Sequence, residues 1–503
     1  MVKQRNKTIS DDPANQWENE CASKASKIGP STPYEKCRER LSPFGGLLGL
    51  EKFMDLVGFK EIFNGFYCSP SRNPKLGHYE MVYGILVLLF IGFNRIWHFV
   101  YIQLDAMLCG IFKVARLPYI TTFWRYVDSL GINQGQSLLK VMSALRERVW
   151  HLCDLGYENI HVDIDTTVET IYGKQQGGRK GHNTKNRGKK GFRPVLCFIE
   201  ETREYLTGKL RRGETMGGEE VADLIRTFKK YLPGCVKEVI LRADGEFISW
   251  ESVEASLAEG YQFIFANKVC HPFFDSLNWY TVKGKEGMAY NECEYQPMGW
   301  DQACRFVVMR IVIEEPSGQE PVQIELLEDN KYKYRIFVTN LTKRADLVIT
   351  EYDKRADTEN LIGEAKREGL AAIPSRKFGN NYAYFQIVML CYNIWRSFKM
   401  VAAQAMEKEQ NDASEKTKPC GLREVMDNTI RVARLKLLFI AAKVTSQANR
   451  SEVKYSQHDS RVSGLFQIMS ELDRRRNQPR PWLKNPKWNS RHLSDPGLIL
   501  STG

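Results

Sequence analysis

A chain of 503 residues with 43% hydrophobic and 26% charged side chains has the composition of an ordinary soluble globular protein and room for several domains. Its formal net charge of +12 favours a polyanionic partner. The 12 cysteines form no CxxC pair and no Cys/His zinc spacing, which points to a reducing compartment and leaves out a zinc site of that kind.

Residues 1–40 are polar and without period, so they read as a loosely ordered tail with no signal peptide. From 41 to about 157 the pattern is helical. Leu47, Leu48, Leu50, Phe53, Met54 and Val57 recur at helix spacing, and Gly58 is a plausible stop. The apolar run 82–93 is too short to span a bilayer and is followed by Asn94, Arg95 and His98, so 79–101 is expected as a buried helix. A capped helix start follows at 118–126, then a helix over 134–150. Arg125 and its aromatic neighbours fit either a DNA contact or a packing layer.

At 159–168 the pattern turns to strand. Ile160, Val162, Ile164 and Val168 are β-branched, and alternation puts Asp163 and Asp165 together on the opposite face. Paired carboxylates there suit an exposed edge, or a buried site with a cation to offset them. The next loop, 173–194, carries Lys174, Arg179, Lys180, Lys185, Arg187, Lys189, Lys190 and Arg193 and no acid. Strands are expected at 193–200 and 204–210, with Arg211-Arg212-Gly213 as the turn after the second. A helix at 218–232, a strand at 238–243 ending on Asp244, a helix at 249–259 and a strand at 261–266 complete a mixed α/β layer. Residues 268–340, with Trp279, Tyr280, Tyr290, Tyr295 and Trp300 and strands at 305–313 and 334–340, read as a β-rich insertion. Thr350 and Asp353 look like the capping start of a helix that Gly369 stops. An apolar helix at 382–400, a charged linker at 407–420 and a basic helical region at 421–503, including a helix at 428–443, close the chain.

Tyr352, Arg355, Glu359 and Lys366 fall within roughly 60° of one another on a helix turning about 100° per residue. Alone, that stripe also fits a solvated, ion-paired face. Combined with Asp165 and Asp244, Glu359 makes a third carboxylate from a third element. Three such acids can hold two Mg²⁺ or Mn²⁺ ions, which activate an attacking oxygen and stabilise a leaving one in phosphoryl transfer.

The spacing Tyr352-x2-Arg355-x3-Glu359-x6-Lys366 resembles the Tyr-Arg-Glu-Lys signature of DDE transposases from bacterial insertion sequences. Asp165-Thr166-Thr167 looks like their first-aspartate motif, and Arg242-Ala243-Asp244-Gly245-Glu246-Phe247 like their second. The likeness is closest to the branch numbered thirteen-eighty, which shows counterparts of Asp163-Ile164-Asp165, Leu210-Arg211-Arg212-Gly213 and Phe378-Gly379-Asn380-Asn381. It covers about Leu41 to Asp473.

That resemblance implies a ribonuclease-H-like mixed-sheet core, interrupted by a β insertion before the glutamate and preceded here by the helical N-terminal region. It implies Asp165, Asp244 and Glu359 as catalytic acids holding two Mg²⁺ ions, with Mn²⁺ able to substitute. It further implies terminal inverted repeats and target DNA as partners, a homodimer in the synaptic complex, and a cytoplasmic, nucleoid-associated enzyme with no membrane role. Tyr352, Arg355 and Lys366, with the cations Lys185, Arg187, Lys189, Lys190, Arg211 and Arg212, are the expected DNA contacts. Asp163 is an alternative to Asp165 and Glu364 to Glu359. Gly363 stands where relatives often carry a further Lys. Trp279 and Trp300 either hold a flipped base or pack the insertion. A nuclease without strand transfer, a transposase-derived DNA-binding protein and a two-carboxylate hydrolase are the competing readings.

Overall fold

The computed structural model describes residues 28–181, 183, 186–267, 278–312, 332–412, 425–447 and 450–486. Residues 1–40 form a unit of their own. Its described part, 28–40, is exposed and holds a turn in which the Thr32 N–H donates to the Gly29 carbonyl at 3.0 Å.

The second unit, 41–503, begins with helices α1 (Leu47–Leu56), α2 (Phe59–Phe66), α3 (His78–Phe90), α4 (Ala106–Ile111), α5 (Ile120–Val127) and α6 (Ile132–Leu152). Gly58 ends α1 with a φ of 61°, and a Cβ there would meet Leu483 Cδ2 at 2.5 Å. From Met81 onward α3 is buried on every side, as a helix without a polar face must be. The apolar segment foreseen at 79–101 is therefore α3 plus a 3-10 turn, Ile96–Tyr101. Among the described residues no helix is long and apolar enough to cross a membrane.

The sheet follows, with strands β1 (Asn159–Thr166), β2 (Val195–Ile199), β3 (Tyr205–Lys209), then α7 (Gly218–Arg226), β4 (Glu238–Ala243), α8 (Trp250–Ala258), β5 (Gln262–Asn267), β6 (Met288–Tyr295), β7 (Cys304–Val312) and β8 (Tyr332–Thr339). Their spatial order is β6-β7-β8-β5-β4-β1-β2-β3. β1 runs parallel to β4, and β4 to β5; the remaining neighbours are antiparallel. Val162, Ile164, Cys197, Leu206 and Leu241 face α7 and α8, while Leu196, Phe198 and Tyr205 face the long helix described next. The sheet is thus covered on both faces. β6 was not foreseen as a strand, because Asn291, Glu292 and Glu294 obscure its alternation. It and β7 and β8 extend the same sheet.

Beyond the sheet come α9 (Ala345–Asp353), α10 (Asp357–Ala365), α11 (Phe378–Asp412), α12 (Ile430–Leu437), a hairpin of β9 (Ala442–Gln447) and β10 (Arg450–Tyr455), and α13 (Arg461–Arg476). α11 is the spine: Trp395 stacks on Phe90 at 3.9 Å, and the Asn393 amide bonds both the N–H and the carbonyl of Tyr205 on edge strand β3, at 2.9 and 2.7 Å. α9 starts at Ala345 rather than near Thr350. Arg344 and Asp346 pair at its first turn, and the Thr350 hydroxyl donates back to the Asp346 carbonyl at 2.7 Å instead of capping. The helix expected over 428–443 stops at Leu437, and Val444 and Thr445 enter the hairpin opposite Val453 and Glu452. The expected linker 407–420 overlaps the end of α11, and its remainder lies outside the described residues.

Candidate active site at the carboxyl ends of two parallel strands

The parallel register places Ile164 of β1 opposite Ala243 of β4. The next residues, Asp165 (still paired with Leu196 of β2) and Asp244 (just past β4), therefore stand side by side, on strands about 4.8 Å apart. Each carboxylate accepts a neighbouring N–H, Asp165 from Thr166 at 2.7 Å and Asp244 from Gly245 at 2.6 Å. Glu359, exposed in the first turn of α10, supplies the third carboxylate. Burial, with a smaller push from Asp244 and Glu359, raises the Asp165 carboxyl from the ordinary value of 3.8 to about 6 against the pull of Arg355 and the Thr166 N–H. Asp165 thus lies in the field of both other acids.

Arg355 bridges helix and strand. Its Nη2 lies 3.2 Å from Asp165 Oδ2 and donates to the Ile164 carbonyl at 3.1 Å. Burial pulls this guanidinium down, but Asp165 and Tyr352 hold it above its usual range. The Tyr352 ring rests on Phe337 at 4.6 Å, and burial raises its hydroxyl. Lys366 Nζ donates to the Val168 carbonyl at 3.0 Å and lies 3.2 Å from Glu169 Oε1. Of the predicted stripe, Arg355 touches the end of β1 and Lys366 the residues just after it, while Tyr352 packs on β8. The stripe runs over α9, a 3-10 turn at Lys354–Ala356, α10 and a π turn at Lys366–Leu370, which Gly369 closes with a φ of 122°. A single straight helix was expected, so spacing alone gave the face but not the breaks.

Both alternative acids are engaged elsewhere. Asp163, 3% exposed, forms a bidentate pair with Arg242 at 2.7 and 2.9 Å and accepts the Thr358 hydroxyl at 2.8 Å. Glu364 is buried, pairs with Arg396 and accepts the Ile430 N–H at 2.5 Å. Neither carboxylate is turned to the trio.

The basic elements divide. Arg187, Lys189 and Lys190 are exposed beside a small sheet formed by 169–170, 179–180 and 190–192, with Lys189 over the Tyr172 ring at 4.8 Å. Lys185 lies outside the described residues. Arg212 is exposed, but Arg211 is 8% exposed and held by Glu220 at 2.7 and 2.5 Å and by the Glu214 and Thr215 carbonyls. Arg211 is not brought to the acids. Arg193 is likewise taken up, by Glu246 and by the Thr166 hydroxyl at 3.3 Å, making a polar wall beside Asp165. Sequence reading counted Arg193 with the loop cations; the available signal was the acid Glu246, two residues past Asp244. Trp279 lies under the Arg310 guanidinium at 4.3 Å, and Trp300 packs near Trp250 at 5.7 Å.

Asp165, Asp244 and Glu359 offer oxygen donors only, and the mutual repulsion at Asp165 is of the kind a hard divalent cation relieves. Among the described residues, the group whose ligand atoms all lie within 4.8 Å of one another is a different one, His161, Glu200 and Glu201. There His161 bridges Glu201 at 2.8 Å and Glu351 at 2.7 Å, and the Arg242 guanidinium lies 2.8 Å from Glu200, so cations of the protein already answer those acids.

Comparison with curated proteins finds no match. Among solved structures the chain is similar to a piggyBac transposase synaptic complex with hairpin DNA, at 10% identity and a TM-score of 0.39, over 90% of this chain and 84% of that one. The model of the transposase DDE domain group 1 matches residues 38–477. With most of its length matched, the chain belongs to the DDE transposase family.

Proposed function

We propose that this transposase binds the terminal inverted repeats of its own element, cuts DNA with Mg²⁺ or Mn²⁺, and joins the freed 3′-hydroxyl to target DNA as a homodimer. Within the family we place it in the branch of insertion sequences numbered thirteen-eighty, with a ribonuclease-H-like core; the order β3-β2-β1-β4-β5 supports that core. The observation that supports the reading is the parallel register that sets Asp165 beside Asp244, with Glu359 of α10 near enough to raise the Asp165 carboxyl. These three would hold the ions. When bound, two such ions supply an activated oxygen and charge stabilisation for an in-line displacement. Arg355 orients Asp165 and places a cation where a backbone phosphate would approach. Exposed Arg187, Lys189, Lys190 and Arg212 track the duplex further out.

The test is nicking of a terminal-repeat duplex by purified protein. Cleavage is expected with Mg²⁺ or Mn²⁺, with Ca²⁺ supporting binding but little cutting, and Asp244→Asn should bind DNA while cutting orders of magnitude more slowly. Full cleavage in a strong chelator, or by Asp244→Asn, overturns the reading. Joining of a pre-cut 3′-end to plasmid separates a transposase from a nuclease without strand transfer.

A further inference from the structure

Each of the three acids is a close chain neighbour of one member of a buried polar clamp. Asp163 stands two residues before Asp165, Arg242 two before Asp244, and Thr358 one before Glu359. The register sets Asp163 directly opposite Arg242. Arg242 Nε and Nη2 donate to the two Asp163 oxygens at 2.7 and 2.9 Å, and the Thr358 hydroxyl donates to Asp163 Oδ2 at 2.8 Å. Arg242 also donates from Nη1 to the Glu351 carbonyl of α9 at 2.8 Å, and its Nη2 lies 2.8 Å from Glu200. Arg242, Asp163 and Thr358 are 0, 3 and 1% exposed.

We propose that Asp163, Arg242 and Thr358 are positioning residues that set the spacing of Asp165, Asp244 and Glu359. The inference rests on the reading of those acids as the metal site. A residue two places along a strand rises about 6.6 Å and shares its face, so Asp165 and Asp244 follow Asp163 and Arg242 on the same face, while Glu359 is the next residue after Thr358 on α10. The backbone ladder sets the distance between β1 and β4, and the bidentate pair adds a fixed plane across it to which Thr358 can bond. Thr358 then ties α10 to that pair by a directional bond. Apolar packing would hold the helix against the sheet equally well but would let it slide, since it has no directional preference. A buried ion pair is a weak source of stability compared with an apolar pair of the same shape. What this one supplies is geometry.

The test reads Mn²⁺ binding to metal-free protein by electron paramagnetic resonance, without DNA, alongside nicking and thermal melting. Asp163→Asn removes one of the two carboxylates that answer the buried Arg242 and risks unfolding, so Thr358→Val is the main variant and Thr358→Ser its rescue. The relevant Mn²⁺ is the component that Asp165→Asn removes. Thr358→Val should weaken it about 10- to 100-fold, the usual effect of losing a group that orients a ligand, while melting moves by about 2–4 °C. Thr358→Ser should return binding and nicking to near wild type. Unchanged Mn²⁺ affinity in Thr358→Val, or a loss that Thr358→Ser does not restore, overturns the clamp alone. If Asp165→Asn removes no Mn²⁺, the metal-site reading itself falls and the clamp with it.

Discussion

Arg355 reaches from the 3-10 turn after α9 to Asp165, its Nη2 3.2 Å from Oδ2, and donates to the Ile164 carbonyl from the same nitrogen. One guanidinium therefore sets both the charge balance at the first acid and the position of the strand that carries it. Arg355→Lys should not replace it, because a shorter side chain ending in a compact, strongly hydrated ammonium does not set a planar, weakly hydrated nitrogen between that carboxylate and that carbonyl. Nicking should fall at least about 10-fold, a loss of roughly 1.4 kcal/mol in transition-state stabilisation. Wild-type nicking by Arg355→Lys would remove this role.

The Asp165 carboxyl gives a pH signature in metal-free protein. Its folded value, about 6, lies above the ordinary 3.8, so its share of stability is complete below pH 3.8 and is lost as pH rises through about 6. That share is about 2–3 kcal/mol at most. In chelator, wild type should lose melting temperature relative to Asp165→Asn between pH 4 and 7, and the variant should be the more stable at pH 7.5. Parallel melting curves for the two proteins across that range would contradict the upshift that burial gives the Asp165 carboxyl.

Glu359 and Glu364 should separate cleanly. Glu359→Gln changes an exposed side chain and should leave melting almost unchanged while abolishing nicking. Glu364→Gln breaks a buried pair with Arg396 and weakens the bond to Ile430, and should cost about 3–5 kcal/mol of stability. Thermal melting and nicking on both variants decide; strong destabilisation by Glu359→Gln would reverse the assignment.

Neutralising Lys185, Arg187, Lys189 and Lys190 together should flatten the salt dependence of DNA binding by about 0.9 per lost phosphate contact. Arg212→Gln should act in the same way on a smaller scale. Arg211→Gln should instead lower the melting temperature and spare the salt slope, because its guanidinium belongs to Glu220. An unchanged slope in the quadruple variant returns the loop to a solvated surface.

Local pattern carried much of this fold. β4 was legible to the residue, because Glu238–Ala243 is a short apolar run ending at an acid. β1 was legible because its alternation is strict. The partners of individual charges were not. Nothing within ten residues of Asp163 marks it as the mate of Arg242; that depends on a parallel register between strands 79 residues apart. Arg211 looked like a phosphate contact because cation density says nothing about a glutamate one helix away. Thr350 looked like a cap because its spacing to Asp353 is right, while the true start was set by the Arg344–Asp346 pair.

The bond between Thr358 and Asp163 joins residues 195 positions apart. During synthesis at about 5–20 residues per second, roughly 10–40 s separate the emergence of the first acid from that of the third. Over that interval β1, β4 and the basic loop exist without Glu359. On the proposed function, a nascent or interrupted chain carries the loop cations before it carries all three acids, and the ability to cut is acquired late, when α10 docks.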